Sequence, residues 1–124
     1  MGKIKTADEA ISLFSEFSRR HGQAMVDGKS KEANKFFRLK MECIEYLFEH
    51  HSLGRLAVFL DDDSIPVRAS AAYALLPVME KESVAVLSAI SGGDYNIYSL
   101  NAFYTLAEWK KGNLRFPYQD GFGK

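Results

Sequence analysis

The residue types that could carry chemistry are few, and their spacing does not favour it. His21, His50 and His51 are the histidines, and two adjacent histidines on a helix point about 100° apart, so His50 and His51 cannot grip one metal ion together. Asp61-Asp62-Asp63 offers oxygens to a hard cation but lacks the downstream glycine and glutamate of a calcium loop, and a helix-capping turn accounts for it. Cys43 is the sole cysteine, which forbids an internal disulfide or a thiolate cluster. It lies between Glu42 and Ile44 in a helical pattern with no base nearby, so it reads as a buried spectator rather than a nucleophile. Gly92-Gly93 neither follows a strand nor is followed by a lysine, and reads as a helix break, not a phosphate cradle. With no Ser-His-Asp or Cys-His arrangement legible, the expectation is a chain without catalytic residues, metal or cofactor.

Composition narrows the remaining classes. The chain has 124 residues, 47% of them hydrophobic, enough to bury about two-thirds of the unfolded surface in one domain without staples. Sixteen basic residues against sixteen acidic ones leave no net charge, hence no overall field to attract nucleic acid or an anionic bilayer. The lone cysteine suits a reducing compartment, and the cytoplasm is expected. Met1-Gly2-Lys3-Ile4-Lys5-Thr6 has no apolar run behind it, and Asp8 and Glu9 interrupt any signal peptide. Ala69 to Met79, among the longest charge-free stretches, is far short of the ~20 residues of a membrane span.

The elements that must position these residues are all helical. Thr6-Ala7-Asp8-Glu9 is a capping box that starts a helix near Ala7, with Ala10, Leu13, Phe14 and Phe17 on one apolar stripe. Gly28 stops it, with fraying from His21-Gly22, and Ser30 caps a second helix running to His50. Its buried face comprises Ala33, Phe36, Phe37, Met41, Ile44, Leu47 and Phe48. Shorter helices follow over 53–60, 65–78, 81–91 and 95–111. Asp63 or Ser64 caps the second of these, Pro66 occupies its first turn, and Pro77 helps to end it. The alanines at 69, 71, 72 and 74 permit close helix packing. An offset of thirty residues aligns Leu60 with Ile90, Val67 with Ile97, Ala72 with Ala102 and Leu76 with Leu106, the size of period that marks stacked helix pairs.

Leu60 to Arg68, followed by Ala71-Ala72 and Ala74-Leu75, resembles the HEAT repeat, in which an acidic turn leads to a Val-Arg step and then to small and apolar residues. Over roughly residues 7 to 114 the chain looks like a short family of bacterial proteins of unknown function with a HEAT-like superhelix. The resemblance rests on Asp27-Gly28, Ala33-Asn34, Val67-Arg68, and Thr105-Leu106-Ala107-Glu108-Trp109 with Gly112 after it. It implies that Arg68 braces the turn at Asp61 to Asp63 and that Asn34 ties helices together, and it brings no catalytic residues. The expected fold is an all-α superhelix of about six helices in one domain over 1–124. A long hairpin over 7–50 precedes two HEAT-like pairs over 53–112. The tail, 113–124, departs from the pattern, so Phe116, Tyr118 and Phe122 stand apart from it.

Charge order on the first hairpin is less easily explained by folding. Lys31, Lys35, Arg38 and Lys40 fill the first half of the second helix and Glu42, Glu45 and Glu49 the second half, the reverse of what the helix dipole prefers. Arg19 and Arg20 of the antiparallel neighbour lie beside the basic half, Asp8 and Glu9 beside the acidic half. Two readings stand: charges from later helices neutralise both ends, or the acidic end, joined by Asp61, Asp62 and Asp63, is a partner surface for a basic protein. Tyr95 and Tyr98 are further contact anchors, whereas Trp109 is expected in the core. Three functions remain: a protein-binding module, in its sharpest form an immunity protein that neutralises a bacterial toxin such as a basic nuclease; a nucleic-acid binder using the basic half, which the zero net charge disfavours; and an assembly scaffold.

Overall fold

The computed structural model describes residues 4–114 and 116. Among them are six helices and no strand: α1 (Ala7–Val26), α2 (Ser30–Glu49), a 3-10 helix (Leu53–Asp61), α3 (Ile65–Leu75), α4 (Glu80–Ser91) and α5 (Ile97–Lys111). The all-α fold expected from the sequence is the one observed: α1 and α2 form the hairpin, and the 3-10 helix, α3, α4 and α5 pack in succession.

Local chemistry sets the boundaries. Thr6 Oγ1 accepts the Glu9 N–H at 3.0 Å, but Glu9 Oε1 takes the N–H of Lys5 at 2.8 Å instead of that of Thr6, so the box closes one residue early. α1 does not fray at Gly22. It continues to Val26 and turns at Gly28, whose φ of +71° falls where a Cβ is unfavourable. Ser30 is already helical and does not cap; the N-cap is Lys29. α5 begins at Ile97 rather than Tyr95, because Asn96 Oδ1 accepts the N–H groups of Tyr98 and Ser99 while Ser99 Oγ accepts that of Asn96. Gly112, at φ +76°, ends it.

Two apolar clusters share α3. Ala71, Ala74 and Leu75 face Phe14, Ile44, Leu47 and Leu56, whereas Ala72 and Leu76 face Leu87, Ile90 and Ala102. A helix buried on two sides must be narrow, which is why its interior is alanine-rich. Phe116 also enters the first cluster, with its ring 4.9 Å from that of Tyr73; Tyr118 and Phe122 lie outside the described residues. Trp109 is only half-buried and donates its indole N–H to Glu80 Oε2 at 2.8 Å. α1 and α3 approach closely at Gly22, where a Cβ would come within 2.5 Å of the Pro66 ring.

Candidate functional site

The inner face of α2 differs from expectation at two positions. Phe37, assigned to the core by its spacing, is 40% exposed. Lys40, assigned to the basic surface, is only 4% exposed and is the one charged side chain buried among the described residues. The helical period explains the second result: Lys40 follows Phe36 and Phe37 by four and three residues and precedes Cys43, Ile44 and Leu47 by three, four and seven, so it lies on the apolar stripe. That placement was legible in the spacing and was overridden by residue type.

Around Lys40, α1, α2, α3 and α5, with Leu87 of α4, line a cleft of about 140 Å³. Lys40 Nζ lies 3.1 Å from Ser70 Oγ on α3 and 3.2 Å from His21 Nδ1 on α1, and 5.2 Å from the centre of the Phe37 ring. An ammonium only donates, so with Lys40 charged Nδ1 accepts and the His21 proton sits on Nε2. Burial pushes Lys40 down to about 7. Burial, and then the nearby Lys40 charge, holds His21 down to about 4. Tyr98 donates its hydroxyl to the Gly22 carbonyl at 3.2 Å and walls one side.

The candidate partner residues fall into separate places. Glu42, Glu45 and Glu49 are exposed along one stripe of α2 and make no ion pair among the described residues. At the same end of the hairpin Asp8 is taken by Arg55, at 2.7 Å. The 3-10 helix, which packs on α3, ends at Asp61, and Asp62 and Asp63 lie in the turn that follows it; Asp63 lines a surface hollow with Arg19, Gln23 and Tyr98. Asp62 Oδ2 accepts the Ser64 N–H at 3.0 Å, and Arg68 donates to the carbonyls of Asp62 and Asp63 at 2.7 and 3.4 Å, so the acidic turn has a structural role and Arg68 braces it. Asn34 is exposed and makes no side-chain hydrogen bond among the described residues. Tyr95 is 87% exposed, while Tyr98 is half-buried in the cleft wall. Cys43 is fully buried, with its thiol pushed up to about 12, chiefly by burial.

No cluster of three or more metal-ligating side chains forms among the described residues, and none of their helices is long and apolar enough to cross a membrane. In comparisons with known proteins the chain matches no family model, no curated protein and no solved structure.

Proposed function

We propose that this chain is a non-enzymatic protein-binding module that works in the cytoplasm, and in its sharpest form an immunity protein that neutralises a toxin with a basic domain. The observation that carries this reading is the stripe of Glu42, Glu45 and Glu49. Three carboxylates at three- and four-residue spacing repel one another and oppose the α2 dipole, yet no cation within the described residues compensates them. A basic partner would supply the missing charge and speed the encounter. The resemblance to HEAT-like superhelices, which hold partners rather than carry reactions, supports the same class.

The test is co-expression with a basic nuclease domain encoded beside this gene. Protection of the cell and nanomolar binding are expected, and the E42K/E45K/E49K triple variant should bind at least a hundredfold more weakly. Binding unchanged by that reversal removes the acidic stripe as the interface, and no binding removes the reading. A scaffold role has one observation in its favour, the exposed Phe103 and Tyr104 rings packed edge to face on α5; sedimentation as a monomer at micromolar concentration would close it.

A further inference from the structure

The cleft at Lys40 has no part in the acidic-stripe reading and stands independently of it. Nothing among its lining residues is a carboxylate. Two of the three ammonium donors meet His21 and Ser70, and the remaining one faces the Phe37 ring with no protein acceptor among the described residues. A buried cation is ordinarily matched by an anion, because desolvating it alone costs several kcal/mol. Here the matching anion is missing while space for it is present. The walls are mostly apolar, with Met25, Phe37, Pro66, Ala69, Leu87 and Ala102 facing the space. The exposed Phe37 and Asn101 mark the side from which a guest would enter.

We propose that this cleft is a binding site for a small monocarboxylate with a compact apolar body, its carboxylate seated on the Lys40 ammonium between His21 and Ser70. One cation balances one negative charge. A phosphate dianion would bring a second negative charge, and the lining residues include no arginine or second lysine to meet it. The volume, about 140 Å³, is close to that of an apolar cavity known to hold benzene, about 150 Å³, so the body is the size of one aromatic ring or a short alkyl chain.

The site also dictates a proton signature. The groups facing Lys40 are His21 from α1, Tyr73 from α3 and Tyr98 from α5, while α4 contributes Leu87. His21 stays neutral above pH 5 or so, given its depressed pKa, and burial raises both tyrosines above their ordinary value of 10.0. Lys40 alone then changes charge between pH 6.5 and 8.5. A carboxylate binds the ammonium form, so its affinity falls about tenfold for each pH unit above the Lys40 pKa, with uptake of a proton on binding.

Benzoate is the probe, benzamide its neutral isostere, and calorimetry with amide chemical-shift mapping the measurement, on the full chain. Expected are saturable binding of benzoate at pH 6.5, shifts centred on Phe37, Lys40 and Ala102, at least tenfold weaker binding at pH 8.5, and no comparable binding of benzamide. Lys40→Met, with its fold checked by circular dichroism, should abolish the preference for benzoate. Equal binding of benzoate and benzamide, pH-independent affinity, shifts elsewhere, or no binding by the wild-type chain at about 10 mM benzoate would each overturn the proposal. The wild-type measurements decide it even if the variant fails to fold.

Discussion

On its inner side α2 carries Lys40 among Phe36, Cys43 and Ile44, buried and with no carboxylate in the cleft that it lines; on its outer side it carries Glu42, Glu45 and Glu49, exposed and without an ion pair among the described residues. The two kinds of unmatched charge differ in cost. In water a lone carboxylate is solvated and repulsion along a helix is a matter of tenths of a kcal/mol. In the cleft the ammonium is 4% exposed, and its protein partners are a hydroxyl, an imidazole and a ring face. The outer charges are therefore available to a partner at little expense to the fold, whereas the inner one sets the stability of the fold itself and makes it depend on pH.

The largest effect should come from removing the inner charge. Lys40→Met keeps the length and apolar stem, and urea denaturation at pH 7 should show it more stable than wild type by roughly 1–4 kcal/mol. That gap should narrow as pH rises. The unfolded chain holds the Lys40 proton up to the ordinary pKa of 10.5 and the native chain releases it near 7. Between those values the unfolded state binds more protons, and wild-type stability climbs with pH. From pH 7 to 8.5 the gain is about 1.5 kcal/mol, and Lys40→Met should lack it. His21 adds the same sign at lower pH: with its pKa held at about 4 against an ordinary 6.5, stability falls as pH drops through that window.

Next in size is the contact of α1 with α3 beside the cleft. Gly22→Ala places a methyl within 2.5 Å of the Pro66 ring, which is rigid; a loss of about 2 kcal/mol in urea denaturation is expected as α1 and α3 move apart. Unchanged stability would mean that α1 and α3 do not approach so closely. The smallest effect should be on the outer stripe: E42Q/E45Q/E49Q should move the thermal midpoint by about 2 °C or less, and upward, because the dipole disfavours carboxylates near the α2 C-terminus. A large drop would show that these carboxylates hold the fold rather than await a partner.

The fold was legible because its signals are local. Thr6 and Glu9 mark the start of α1, Gly28 and Gly112 mark turns, Pro66 and Pro77 bracket α3, and the apolar period survives wherever a helix has one buried side. Arg68 beneath the Asp62 and Asp63 carbonyls matches what the repeat resemblance implied, whereas Asn34 does not. The helix ends missed by a few residues include the start of α5, where Asn96 takes the cap, and the end of α3, which stops at Leu75 rather than Val78. The cleft was hidden for a different reason. Lysine is so seldom buried that its type outweighed its position on the apolar stripe, and the partners that face it, His21 and Ser70, come from two other helices.

The contrast between the two sides of α2 depends on the state of one amine. Following the lysine side-chain methylene signals adjacent to Nζ by NMR across pH 5.5 to 9.5 tests it directly, with the Lys40→Met spectrum giving the assignment. The Lys40 signal should titrate near 7; a Lys40 signal that remains charged past pH 9.5 would show an ammonium already compensated, and the account of the inner face would be wrong.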